Sequence, residues 1–202
     1  MDFVSLFFNL DEYLLSAVGE YGTWIYAILF ATIFLETGLV VAPFLPGDSL
    51  IFLAGALAGA GALNPVLLFA VMSVAAIAGD SVNYYIGRHA AGKMPYVKKE
   101  HIDATRAFYE KHGGKTIVLA RFLPVIRTFA PFVAGMAGMK YRDFAFYNIT
   151  GALLWVSSFL ALGYFFGNVP IVKENIETVI VAIIALSVLP AIAGFLRSTH
   201  KR

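Results

Sequence analysis

Four charged side chains stand in stretches that are otherwise apolar: Glu36 within Trp24 to Val41, Asp48 in the following Pro46-Gly47-Asp48, and Arg121 and Arg127 on either side of Pro124. A charge placed in an apolar segment that enters lipid costs ~2.5 to 3.5 kcal/mol on insertion scales, so these groups need mutual pairing or a task. Their types suggest the task. A guanidinium keeps its charge and presents a planar fork that matches phosphate oxygens, which makes Arg121 and Arg127 candidates for binding a lipid phosphate. A carboxyl can be discharged by a proton, which makes Glu36 and Asp48 candidates for proton coupling. The structural alternative is that the acids only neutralise the arginines and lock two segments together. Apolar packing would do that with less desolvation penalty, which favours the functional reading. Asp80, with Asn83 and Tyr84, is a weaker candidate, expected to form a polar cluster near the end of a span.

The elements that must position these residues are apolar and broken. In 202 residues the apolar fraction is 59%, the mean hydropathy is +0.77 and 14% of positions are charged, against roughly 25% charge in a soluble domain. Apolar stretches run over Trp24 to Val41, Leu50 to Leu63, Val66 to Ile86, Thr116 to Met139, Phe144 to Phe166 and Val179 to Leu196. A straight crossing takes ~20 residues. The stretches 66–86, 144–166 and 179–196 fit that length. The others are interrupted, by Pro43, Pro46 and Gly47 or by Pro124, Pro131, Gly135 and Gly138. Phe-Leu-Pro recurs at both breaks, at 44–46 and 122–124, and each is followed by a long span. Broken segments at matching places in two halves point to a binding site near the membrane midplane. Trp24 and Trp155 are equally readable as interfacial anchors or as bundle packing.

Charge sets the expected orientation. All 15 Lys and Arg lie at or after Arg88, and such residues collect on the cytoplasmic side. The polar segment 88–115 is the cytoplasmic loop, with a surface helix over Lys98 to His112 as one option and a solvated connector as the plainer one. Lys140, Arg142 and the basic tail 197–202 should share its side. Thr116 to Met139 must then enter and return on one side, as a re-entrant hairpin bent near Pro124. The segment 24–63 is a second hairpin or two full crossings. The expected fold is an all-α integral membrane protein, an inverted repeat of two re-entrant hairpins plus transmembrane helices. Its parts are an apolar N-terminal segment (1–23) retained in the mature protein, a membrane domain (24–196) with a first half over 24–87 and a second over 116–196, and the tail.

Other function classes fit poorly. The absence of cysteine excludes a disulfide scaffold, a thiolate metal site and a cysteine nucleophile. The histidines His89, His101, His112 and His200 lie in the loop or the tail, without metal-ligand register, no Gly-x-Ser-x-Gly elbow occurs, and Ser49 beside Asp48 lacks a base, so neither an enzyme nor a metal or cofactor site is expected. Nothing basic and aromatic recurs at nucleic-acid-binding spacing. The alternatives are a proton-coupled small-ion or drug exchanger using Glu36 and Asp48, which has no need of phosphate-gripping arginines, and a non-transporting assembly factor.

Four stretches carry a further likeness: 34–50 (FLETGLVVAPFLPGDSL), 79–88 (GDSVNYYIGR), 108–115 (FYEKHGGK) and 120–135 (ARFLPVIRTFAPFVAG). With them the chain resembles the DedA family of bacterial inner-membrane proteins, also called the SNARE-associated or VTT-domain family, over about 20–190. The resemblance implies a flippase that translocates undecaprenyl phosphate or a phospholipid and depends on the proton motive force. It places the family's essential acids on Glu36 and Asp48 and its essential arginines on Arg121 and Arg127. It also implies two hairpins in inverted orientation. The expected partners are the bilayer, a lipid with a phosphate headgroup, protons and, compatible with the sequence, further copies of the chain in a homo-oligomer.

Overall fold

Where the chain turns from loop to long helix, the local chemistry is explicit. The Asn64 side chain accepts from the backbone N–H groups of Val66 and Leu67 at 3.0 and 3.1 Å, and Pro65 takes the first helical position, where its missing N–H is not needed. The computed structural model describes residues 22–38, 47–90 and 113–173. Within them the chain forms α1 (Trp24–Gly38), α2 (Gly47–Gly59), α3 (Pro65–Ala90), α4 (Lys115–Ala120), α5 (Pro124–Met136), α6 (Tyr141–Phe166) and the short α7 (Pro170–Lys173). No strand occurs among the described residues. The N-terminal segment up to residue 21, Pro43, Pro46, the proposed surface helix 98–112, the last apolar stretch and the basic tail lie outside them.

Among the described residues, α3 and α6 are the two helices long and apolar enough to cross a membrane. At 26 residues each they measure about 39 Å, against ~30 Å of hydrocarbon. They coincide with the expected spans 66–86 and 144–166. They run antiparallel: Tyr141 donates to Ser81 at 3.3 Å, Asn148 donates to the Ile77 carbonyl at 3.1 Å, and Leu160 to Phe165 face Pro65 to Phe69. The bundle therefore has an Asn64 end and an Arg88 end. Large apolar side chains such as Val66, Val74, Phe146, Leu154 and Phe165 point outward, a surface suited to lipid and unfavourable in water. The hydroxyls of Thr32, Thr150 and Ser158 turn back onto backbone carbonyls four residues earlier, at 2.7 to 2.9 Å, which satisfies them on a surface that faces lipid.

The short helices pair with these two spans in an exchanged pattern. α1 lies along α3, with Tyr26 accepting from the Asn64 N–H at 2.8 Å and Gly38 against Gly79. α2 instead lies along α6, from Asp48 beside Trp155 to Asn168, whose amide donates to the Ala56 carbonyl at 2.9 Å. That crossing is tight: a Cβ at Gly163 would overlap the Phe52 carbonyl, and one at Gly55 would overlap the Leu160 carbonyl. Small residues of this kind let helices in lipid approach backbone to backbone. In the second half α4 lies along α6, with Gly151 against Val118 and Arg121, while α5 lies along α3, with Gly87 against Phe132 and Gly135 against Tyr84. α1 thus runs from the Asn64 end to mid-bundle and α2 returns to that end, whereas α4 runs inward from the Arg88 end and α5 returns there.

Two sequence expectations are refined by this packing. Trp24 is 72% exposed at the start of α1, whereas Trp155 is fully buried, so only Trp24 remains eligible as an interfacial anchor. Asp80, Asn83 and Tyr84 do not form a cluster at the end of α3. All three are buried, because α1 and α5 cover this part of α3 from opposite ends of the bundle.

The path of α4 and α5 generates a labelling prediction. The native chain has no cysteine, so Lys115→Cys and Lys140→Cys report without background. Both should react with an impermeant thiol reagent from the same side of the membrane, and Ala62→Cys from the other. Labelling of positions 115 and 140 from opposite sides would refute the path described.

Candidate functional site

Glu36, Asp48, Arg121 and Arg127 each sit where a helix stops or starts in mid-bundle. Glu36 is in the last turn of α1, Asp48 in the first turn of α2, Arg121 at the C-cap of α4 and Arg127 in the first turn of α5. A helix end in an apolar interior leaves backbone groups that need partners. Gly47 at the start of α2 donates its N–H to Glu36 Oε1 at 3.3 Å, and a Cβ on Gly47 would overlap that carboxyl. The Asn83 amide, from α3, donates to the Thr37 carbonyl at 3.1 Å and the Thr128 carbonyl at 2.7 Å. It thereby ties the broken end of α1 to the first turns of α5. Pro124 opens α5 and Pro131 lies inside it, where the missing N–H costs one helical hydrogen bond.

The four residues converge, but not in the simplest pairing. Arg127 takes both acids of the first half: Nη2 donates to Glu36 Oε1, and Nη1 donates to Asp48 Oδ1 at 2.9 Å. Arg121 takes neither. Its Nη2 donates to Asp80 Oδ2 and to Asn148 Oδ1, so it is tied to the two long spans. Trp155 joins the two groups. Its indole N–H donates to Asp48 Oδ1 at 2.9 Å, and its ring lies 4.6 Å from the Arg127 guanidinium and 5.9 Å from that of Arg121. Cation–π contacts of this kind strengthen where water is excluded.

Glu36, Asp80, Arg121 and Arg127 are each less than 5% exposed. Even so, the pairing is incomplete. Glu36 Oε2, Asp80 Oδ1, Arg121 Nε and Nη1, and Arg127 Nε are buried without a hydrogen-bond partner. Buried polar groups are bonded in the great majority of cases, so a gathering of such atoms calls for an explanation. Among the described residues no group of acids or histidines is gathered as a metal site.

Asp80, Asn148 and Trp155 carry more of this site than their sequence positions suggest. Asn148 did leave a signal, as a lone amide early in the apolar run 144–166, and Trp155 sits midway along α6 rather than near either end, where an interfacial Trp belongs. Asp80 is visible as a charge in an apolar run, and its place late in that run suggests a span end. Only the crossing of α4 over α6 places Arg121 beside it.

Comparison with known proteins is consistent from one half of the chain to the other. The VTT domain family matches residues 45–165. Protein DedA of Escherichia coli is 52% identical over 207 residues, covering 98% of this chain and 94% of its own length. An uncharacterized membrane protein of Mycobacterium leprae is 41% identical over 184 residues (87% and 82%), and the inner membrane protein YghB of Escherichia coli is 37% identical over 180 residues (85% and 81%). No solved structure matches the chain.

The position of Trp155 separates its two contributions. Trp155→Phe keeps an aromatic face near Arg127 and loses the bond to Asp48, which should lower stability by ~1 kcal/mol. Trp155→Leu also loses the face, for a further ~1 to 2 kcal/mol. Thermal unfolding in detergent of both variants checks the order. Equal melting temperatures for Phe and Leu would remove the cation–π contribution.

Proposed function

We propose that this chain, which belongs to the DedA family of VTT-domain membrane proteins, is a transporter that moves a phosphate-bearing lipid across the bacterial inner membrane and couples the movement to protons. Undecaprenyl phosphate and the common phospholipids are the substrates in view, and no covalent chemistry is involved. The observation that carries the reading is the set of buried guanidinium N–H groups left unpartnered on Arg121 and Arg127, in a cluster made where four helix ends meet. A phosphate supplies several strong acceptor oxygens and is the anion that a guanidinium fork fits best.

Helix lengths support the accompanying topology. α1, α2 and α5 have 15, 13 and 13 residues, or about 22, 20 and 20 Å, short of the ~30 Å core. In our reading α1–α2 and α4–α5 are two re-entrant hairpins inserted from opposite faces, related as an inverted repeat with α3 and α6 as the equivalent spans. The loop 88–115 and the C-terminus are then cytoplasmic. The N-termini of α2 and α5, the positive ends of their helix dipoles, both lie at mid-depth. The headgroup would enter between a hairpin and the long spans, while its acyl or prenyl chain stays in the surrounding lipid.

Charge count supplies the coupling. Three carboxylates, Glu36, Asp48 and Asp80, face two guanidiniums, so the cluster as ionised already carries an excess negative charge. A phosphate can join it only if protons arrive too, because uncompensated charge in a dry site is prohibitive. Protonation of Glu36 releases Arg127 for the incoming headgroup, and departure of the headgroup restores the ion pair.

Two substitutions test this. Glu36→Gln keeps the shape and a hydrogen-bond acceptor for Arg127, and is expected to fold while weakening the dependence of lipid transport on the proton gradient in proteoliposomes. Unchanged proton dependence in that variant would assign Glu36 to structure. Arg127→Lys keeps the charge without the fork. It should lose roughly ten- to a hundred-fold in headgroup affinity, the worth of a charge-assisted bond of ~1.5 to 3 kcal/mol, with near-native thermal stability. A stable Arg127→Lys protein transporting lipid at the native rate would leave only the ion-pair role.

A further inference from the structure

The way Arg121 is held limits what it can do. A guanidinium grips a phosphate bidentately along one of two edges, Nη1 with Nη2 or Nε with Nη2, and both edges share Nη2. In this protein Arg121 Nη2 is occupied twice, by Asp80 Oδ2 and by Asn148 Oδ1, while Nε and Nη1 have no partner. Both hydrogens of the shared nitrogen are therefore spent on the long spans. Arg121 can offer single N–H contacts as it stands, but no fork. To present the fork it must turn away from Asp80.

That movement leaves a charge behind. Asp80 is 2% exposed and its second oxygen, Oδ1, is already without a partner. The groups around it are Arg121 from the α4–α5 turn, Arg127 from α5, itself paired with Asp48 of α2, Glu36 from α1 and Asn148 from α6. Once Arg121 has turned to an anion, the nearest remaining cation is shared among Glu36 and Asp48. A carboxylate left unpaired in such surroundings takes up a proton rather than keep its charge. Asn148 does not raise this difficulty, because its amide stays bonded to the Ile77 carbonyl at 3.1 Å and is neutral throughout.

We infer that Asp80 is a third acid of the transport cycle, holding Arg121 closed while no headgroup is bound and accepting a proton when Arg121 turns its fork to the phosphate. The inference rests on the lipid-phosphate reading above and adds to it a positioning role on α3, a residue outside both hairpins. It makes Arg121 and Arg127 separately gated, Arg127 by Glu36 and Asp48 and Arg121 by Asp80.

The test counts protons. Purified protein in weakly buffered detergent is mixed with dihexanoylphosphatidylglycerol, a phosphodiester, or with farnesyl phosphate, a phosphomonoester. Binding is followed by calorimetry and proton uptake by a pH indicator. Comparing wild type with Asp80→Asn cancels the ligand's own titration. The expected result is about one fewer proton taken up per bound ligand in Asp80→Asn, whichever ligand binds. Equal uptake with retained binding overturns the role of Asp80 and leaves the lipid reading intact. Failure of wild type to bind either ligand overturns both. Should Asp80→Asn not fold, isotope-labelled aspartate gives the readout in protein that keeps Asp80. Ligand binding to Asp48→Asn should bring up the infrared carbonyl band of one protonated aspartic acid, and its absence overturns the inference.

Discussion

Charges in the middle of an apolar bundle must be paired within it, and much of this structure follows from that one constraint. Arg127 alone cannot sit at the start of α5 in an interior that excludes water. Glu36 and Asp48 hold its two terminal nitrogens from the facing half of the chain. The pairing requires the end of α1, the start of α2 and the start of α5 to meet at one level. For that to happen the helices must stop short, as α1 does at Gly38 and α4 at Ala120. A buried ion pair of this sort is a poor source of net stability, since desolvation offsets most of the attraction. In the proposed function its role lies in what the charges do when they separate.

Stopping helices in mid-bundle creates a second demand, because each end exposes backbone groups to a place without water. The protein meets it with side chains from the unbroken spans. Asn83 serves the carbonyls of Thr37 and Thr128 together, and Asn148 holds both Arg121 and the Ile77 carbonyl. The long helices α3 and α6 are thus more than membrane anchors. They carry the fixed polar groups against which the shorter elements are registered, while the exchanged packing of α2 on α6 and α5 on α3 makes each half depend on the other's span. In the proposed transport cycle this arrangement allows a short element to shift against a span without exposing the backbone of the span itself.

The two arginines, alike in the sequence, have different attachments. Arg127 is bound to the ends of the short helices α1 and α2, whereas Arg121 is bound to the long spans α3 and α6. Trp155 lies close to both guanidiniums and holds Asp48, so movement of either arginine is felt at the same ring. A site built this way can respond to one proton or one anion by rearranging partners rather than by opening wide. In the proposed function this would serve a lipid headgroup, which needs a polar path only as wide as itself.

How much of this was legible in the residues depends on whether the physics was local. Apolar runs of span length reveal α3 and α6 directly, since lipid acts on each segment by its own composition. The breaks at Gly47 and Pro124 are equally local, because glycine and proline act on their own backbone. A charge in an apolar run is anomalous wherever it is packed, so Glu36, Asp48, Arg121 and Arg127 stood out with no partner known. Their partners did not, because pairing is settled by which helices cross. The sequence sets Glu36 and Asp48 of the first half against the arginines of the second, and that holds for Arg127. Arg121 is claimed by Asp80, because α4 crosses α6 at Gly151, beside the level at which α6 meets α3. Trp155 shows the same division: its bulk was readable as packing or anchoring from composition, but its bond to Asp48 exists only because α2 returns along α6. What each residue prefers to be near is written in its chemistry, and which neighbour it receives was decided by the tertiary fold, since helices from opposite ends of the bundle reach the same level only when packed.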